Sequence, residues 1–345
     1  MVAAIAVRRT GLVTSVGLDA GSACAAIRAK VTNPVETRFT GRGARMIVAH
    51  EVSLEKPWRG LAKLAQMAAM AIDECLEGID KEAWAQIPLL LCVADPDRPG
   101  RLEGIDGDLF TQVCELLGAR FASTSAIVAH GKVGTAVALS HARQLLEGGH
   151  AAQVLMVGTD SLLRWPTLQA YDADDRLLKD GTSDGFMPAE ASAAVLVGPP
   201  GEEAQLVCTG IGFGVEPAPV HSEAPLRAEG LSHAIRQALV DAGKQMHELD
   251  FRIADVSGEQ YYFKEAALAV SRTMRQRKEF FDIWHPAESI GETGAAIGLV
   301  MLAVVDSAFR KGHAPGPFVL AHFSNDGGPR AAVVLHWAAV RPQTP

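Results

Sequence analysis

"GTAVALSHARQLLEGG", residues 134–149, decides the fold. Small and apolar residues from Gly134 to Leu146 leave no polar face, so the helix they form is buried all round. Gly148 and Gly149 stop it. Gln153 to Val157 then reads as a central strand, followed by Gly158, Thr159, Asp160 and Ser161. A second helix of the same kind, "GAAIGLVMLAVVDSAF", spans Gly294 to Phe309. One sheet with two outer helix layers does not readily bury two such helices. Helices sandwiched between two sheets are buried.

Working outward, short apolar runs alternate with helix-length segments, the pattern of an α/β chain. Strands are expected at Ala3 to Val7, Pro88 to Val93, Ser125 to Val128 and Ala193 to Val197. Helices are expected at Gly21 to Lys30, Pro57 to Leu76 and Asp106 to Leu117. The second part repeats the theme: a strand from Ala204 to Gly214, a helix from Ala224 to Ala242, a strand from Ile253 to Val256 and a helix from Lys264 to Arg275. Phe318 to His322 and Ala331 to His336 close it as a strand pair around the turn "SNDGGPR". The halves divide at residues 1–200 and 201–345.

Composition sets bounds on function. The 345 residues are 48% hydrophobic and 21% charged, enough for a large core and too little charge for long disorder. The net charge of -8 and the lack of a dense basic cluster argue against nucleic-acid binding. The tightest basic run, Arg272 to Lys278 with Arg275, Arg277 and Lys278, reads as a solvated helix end. Five cysteines lie far apart without a C-x-x-C pair, which argues against zinc and for a reducing compartment. No apolar run approaches the roughly 20 residues that span a bilayer. No signal-peptide layout opens the chain. The expectation is a cytoplasmic protein without metal, cofactor, membrane or nucleic-acid partner.

Other motifs read as structural. Asp172 to Asp175, with Asp180 and Asp184, lacks calcium-loop spacing and is expected to be a solvated loop. "GTDSLL" has no G-x-S-x-G, and "GIGFG" at Gly210 to Gly214 is no G-x-G-x-x-G. The tyrosines of "QYYFKE", Gln260 to Glu265, read as packing at a helix start.

Four segments in order resemble the β-ketoacyl synthase branch of the thiolase superfamily: "TGLVTSVGLDAGSACAAI" from Thr10, "ALSHARQLLEGGHAAQVLMVGTDS" from Ala138, "DGFMPAEASAAVLV" from Asp184, and the pair "GETGAAIGLVMLAV" from Gly291 with "HFSNDGGPRAAVVL" from His322. The resemblance implies a five-layer αβαβα fold of two similar halves, usually dimeric. It also implies a cysteine nucleophile at the tip of the first buried helix, where helix dipole and amide groups would lower a thiol pKa and hold an oxyanion. Counting back from Gly149, that position is Lys132; a one-residue slip gives Gly131, and Cys114 is 18 residues upstream. The first family histidine matches Ser257, followed by Gly258 and Glu259. The second matches Gly291, the lysine falls near Pro286 or Ala287, and the gating phenylalanine matches Asp326.

With nucleophile, both histidines, lysine and gate all changed, no catalytic residue is assigned, and the implied reading is a pseudoenzyme. Lys132, Ser257, Glu259, Glu292 and Asp326 could converge on the vacated pocket. A salt bridge of Lys132 filling that pocket is favoured over a new base, and His130 reads as a packed polar side chain. "NPVETRF" from Asn33, "CAAIRA" from Cys24 and "PWRGLAKLAQMAA" from Pro57 are similar to thiolase-like proteins of type VI secretion clusters. That likeness implies a homodimeric accessory or co-adaptor binding a secreted effector and its adaptor. Two alternatives stay open: an acyltransferase or β-ketoacyl synthase using acyl-carrier-protein or coenzyme A thioesters at an atypical site, and a subunit that pairs with an active synthase.

Overall fold

A computed structural model describes residues 4–179 and 181–338. In chain order the elements are β1 (Ile5–Val13), α1 (Ala20–Arg28), β2 (Val35–Thr40), β3 (Met46–Ala49), α2 (Gly60–Cys75), β4 (Leu89–Val93), α3 (Asp108–Leu117), β5 (Ala126–Ala129), α4 (Gly134–Glu147), β6 (Val154–Ser161), α5 (Trp165–Ala173) and β7 (Glu190–Gly198). Then come β8 (Gln205–Val215), α6 (Glu229–Asp241), β9 (Phe251–Ala254), α7 (Gln260–Thr273), β10 (Ile283–Trp284), α8 (Ala287–Ile290), α9 (Ile297–Arg310), β11 (Phe318–Ser324) and β12 (Pro329–Ala338). Ala3 and Asp180 lie outside the described residues.

The strands of the first half lie in the order β5-β4-β6-β7-β1, and those of the second in the order β10-β9-β11-β12-β8. Numbered within each half, both run 3-2-4-5-1 from the outer edge inward. Two sheets were expected. Instead, Ile5 pairs with Cys208 and Ala6 with Val207, so β1 and β8 join the halves into one ten-stranded sheet. That sheet still encloses the helices. Strand alternation shows how. Leu90 and Cys92 of β4, with Val154 and Met156 of β6, face the cluster around α4 and α9; Leu89, Leu91, Leu155 and Val157 face α2 and α3. In the second half Val319, Ala321, Val333 and Leu335 face α4 and α9, while Leu320, Ala332 and Val334 face α6. The result is five layers with α4 and α9 in the middle. Strands buried on both faces explain the unbroken apolar runs.

The glycines of "GIGFG" have a packing role. A Cβ on Gly210, Gly212 or Gly214 would sit about 2 Å from the carbonyl oxygen of Ala238, Ala234 or Gly230. Only hydrogen at these positions lets the backbone of α6 lie on β8.

Some boundaries differ from expectation. β1 continues to Val13. The helix expected from Ala224 starts at Glu229, because Pro225 and the positive φ of Ala228 keep the preceding stretch irregular. α5, β2 and β3 were not anticipated. Asp172 is not solvated: it lies in the last turn of α5, is buried, and accepts hydrogen bonds from Arg42 N (2.8 Å) and the Lys179 ammonium (2.8 Å).

Candidate functional site

The leading end of α4 is a single 3-10 turn, Gly131–Val133, entered from β5. Gly131 has φ +55, and a Cβ there would meet Asp95 Oδ2 at 2.7 Å. Val133 N donates to Asn325 Oδ1 (3.2 Å), and Asn325 Nδ2 donates to the His130 carbonyl (2.9 Å). The β11–β12 turn is thereby clipped to the helix tip. Lys132 points inward from it.

The Lys132 ammonium lies 3.5 Å from Glu292 Oε2, 3.9 Å from Asp255 Oδ2 and 4.7 Å from the centre of the Tyr262 ring. Ser257 donates to the same Glu292 oxygen (2.8 Å), and Glu292 Oε1 accepts from Gly294 N (2.9 Å). Asp255 accepts from Ser324 N (2.8 Å). Beside this cluster, Arg176 makes a two-pronged pair with Glu259 (2.7 and 2.9 Å) and a second with Asp326 (2.6 and 3.0 Å). Asp326 also accepts from the hydroxyls of Tyr262 and Tyr171. These groups border a cavity of about 620 Å³, lined among others by Asp95, Arg98, His130, Lys132, Glu292 and Asp326.

Burial and pairing oppose each other here. Burial works against charge on Lys132, but Glu292 and then Asp255 hold its pKa above the usual lysine range. Burial pushes Asp255 up to about 7 despite Lys132. Burial would also raise Asp326, yet hydrogen bonds from Arg176 and the charge of Lys132 keep it below the usual carboxylate range. Glu259 is raised by burial against Arg176, and the Tyr262 phenol is raised well above its ordinary value.

The sulfur beneath the helix tip is Cys92 on β4. Its thiol donates to the Gly134 carbonyl (3.6 Å), and burial lifts its pKa to about 12. Cys75 and Cys208 are also lifted to about 12 and Cys24 to about 11, chiefly by burial. A thiol with such a pKa is a poor nucleophile. Among the described residues no three His, Cys, Asp or Glu side chains are placed to hold a metal.

Solved structures align over almost the whole chain. Similar to it are the oxazolomycin ketosynthase domain OzmH KS7 of Streptomyces albus JA3453 (TM-score 0.79, 15% identity, 99% of this chain and 75% of that one) and the ishigamide ketosynthase/chain length factor (0.78, 15%, 98% and 100%). A third is the ketosynthase ApeO in complex with its chain length factor ApeC from Xenorhabdus doucetiae (0.78, 14%, 97% and 98%). The chain has the thiolase-like ketosynthase fold. At 14–15% identity the likeness is one of fold. No protein-family model and no curated protein matches the sequence.

On this ketosynthase fold, Lys132, Ser257, Glu259, Glu292 and Asp326 do converge. Gly291 does not line the cavity; its neighbour Glu292 supplies the side chain. A Cβ on Gly291 would lie 2.7 Å from the Met187 carbonyl oxygen and 2.8 Å from His50 Cδ2. Pro286 and Ala287 also stay off the cavity. His130 is exposed at its mouth. Sequence reading missed Arg176, Tyr171 and Asp255, and took Tyr262 for packing alone. Helical spacing could have flagged Tyr262: on α7 it lies three residues before Glu265, whose carboxylate pairs with fully buried Arg330 (2.7 Å).

Proposed function

We propose that this chain is a protein-binding member of the ketosynthase fold that does not carry out decarboxylative condensation. The observation that carries the reading is Lys132 at the tip of α4, held between Glu292 and Asp255. Condensation needs a thiolate and donors that stabilise a developing enolate. The ion pairs of Lys132 and Arg176 instead draw in four carboxylates, Asp255, Glu259, Glu292 and Asp326. Such a cluster disfavours a new negative charge and satisfies itself internally. What remains useful is the scaffold and its surface. The partner proposed is a secreted effector with its loading adaptor, which the resemblance to type VI secretion proteins supports. The chain is proposed to act as a homodimer.

A second reading, pairing with an active ketosynthase, is favoured by neighbours solved together with chain length factors. One experiment separates these readings. The full chain is tagged and co-expressed with an effector and a loading adaptor of a type VI secretion cluster, and separately with a ketosynthase. In parallel it is incubated with acyl-thioesters and weighed by mass spectrometry. Recovery of effector or adaptor supports the first reading, and recovery of the ketosynthase alone the second. A stable acyl adduct on Lys132, Ser257 or a cysteine, or turnover, overturns both.

A further inference from the structure

β4 runs into "ADPDRPGR", residues 94–101. Proline stands second in two successive turns. Arg98 N donates to the Asp95 carbonyl (3.2 Å) and closes the first; Arg101 N donates to the Arg98 carbonyl (3.2 Å) and closes the second. Arg101 Nε also donates to the Ala94 carbonyl (3.0 Å), which pins the loop across its base. Asp95 and Arg98, the two ends of the first turn, both line the cavity beside Lys132.

Neither has a full set of partners. The Arg98 side chain is 6% exposed, and its Nη1 donates to Asp160 Oδ1 (2.5 Å). Asp160 does not take a second prong, because Oδ1 also accepts from Ser161 N (2.8 Å) and Oδ2 from Ala295 N (2.9 Å). Nε and Nη2 of Arg98 are buried and have no partner among the described residues. A buried guanidinium with one edge of its fork open lacks an acceptor, and a carboxylate is the acceptor that fits two prongs. Asp95 does not fill that role. Its carboxylate takes a hydrogen bond only from its own backbone N–H, and burial holds its pKa above the ordinary value against the pull of Arg98.

Charge decides what can enter. Six carboxylates and three cations line the cavity. All three cations are already paired, Arg98 with Asp160, Lys132 with Glu292 and Arg176 with Asp326. A bare anion would complete Arg98 but meets a wall of its own sign. The missing acceptor must therefore bring a positive charge with it. Asp95 is the half-buried carboxylate left to receive that charge; Asp97 and Asp174 are exposed.

We propose that the cavity binds a free α-amino acid, with its carboxylate on the Nε and Nη2 edge of Arg98 and its ammonium on Asp95. The ligand carries its two charges on one carbon, and the protein carries the opposite two at the ends of one four-residue turn. This site is separate from the protein-binding reading and does not depend on it.

The test is thermal melting of the full chain with each common L-amino acid at about 10 mM, followed by calorimetric titration of the best binder. At least one amino acid is expected to raise the melting temperature in a saturable way. Its amide, its decarboxylated amine and its N-acetyl form should each bind at least about tenfold more weakly, because each gives up a charged hydrogen bond. Asp95→Asn, which breaks no ion pair, should melt like the wild type and lose at least about tenfold in affinity. Arg98→Lys, which keeps a cation for Asp160 but has no fork, should lose as much. No binder among the amino acids overturns the proposal and leaves the Arg98 edge to trapped water. Equal binding of the amine or the amide, or by Asp95→Asn, overturns it as well. Should Arg98→Lys fail to fold, Asp95→Asn and the analogues decide alone.

Discussion

Replacing Lys132 with Met keeps the length of the side chain and removes its charge. At an effective dielectric of about 20, the attractions of an ammonium 3.5 Å from Glu292 and 3.9 Å from Asp255 are about 4–5 kcal/mol each. The cost of burying the ammonium offsets several kcal/mol of this. Removing one partner of a buried cluster typically leaves a net loss of about 3–5 kcal/mol. The loss depends on pH in a definite direction. Asp255, with its pKa raised by burial to about 7, is charged at pH 8 and mostly neutral at pH 5. A raised carboxyl pKa contributes stability below the unfolded value, near 4, that is lost as pH rises through the folded value. In the variant Asp255 loses its cation and its pKa climbs further, so the variant falls behind most at pH 8. At pH 5 Asp255 is mostly neutral in both proteins, so its attraction to Lys132 no longer counts in the difference and the deficit should shrink. Urea unfolding followed by tryptophan fluorescence at both pH values measures this. An unchanged midpoint at pH 8, or a deficit that grows as the pH falls, would refute the claim that Lys132 is a charge-balancing plug.

Three further outcomes are expected. Arg330→Met should cost about 3–5 kcal/mol in urea unfolding, because Arg330 and Glu265 are 0% and 1% exposed and the carboxylate would keep only the Ser324 hydroxyl and no cation. Gly291→Ala should cost about 1–3 kcal/mol, since φ +71 with ψ -169 is nearly glycine-only backbone; a stability within 0.5 kcal/mol of wild type, roughly the spread of neutral changes, would contradict the crowding beside His50. Iodoacetamide at pH 8 should label only Cys114 in the native protein and all five cysteines after unfolding, read by intact mass, because the other four thiols are buried.

The layers were legible because α4 and α9 are apolar on every side, and that fact alone demands two covering faces. The joining of the halves through β1 and β8 was not, since it rests on a two-residue pairing between segments about two hundred positions apart. The site was half legible. Lys132 followed from counting back along α4, but the second histidine position was read as Gly291, which has no side chain to offer, whereas the neighbouring Glu292 lines the cavity. Arg176 was out of reach: its partners Glu259 and Asp326 lie 83 and 150 positions away, and an arginine after an acidic loop reads as surface. α5 was hidden by the acidic residues that close it.

The alternating glycines of β8 act as a spacer of zero thickness between strand and helix. Adding one methyl group at Gly212 would force α6 outward, because the obstacle at about 2 Å is main-chain oxygen that cannot rotate away. α6 leans on α7, and α7 carries Tyr262 to Asp326 and Glu265 to Arg330. A displacement begun on the outer shell therefore arrives at the polar heart of the molecule, 114 residues further along the chain at Asp326. Surface evolution on that flank is tied to the interior through three hydrogen atoms.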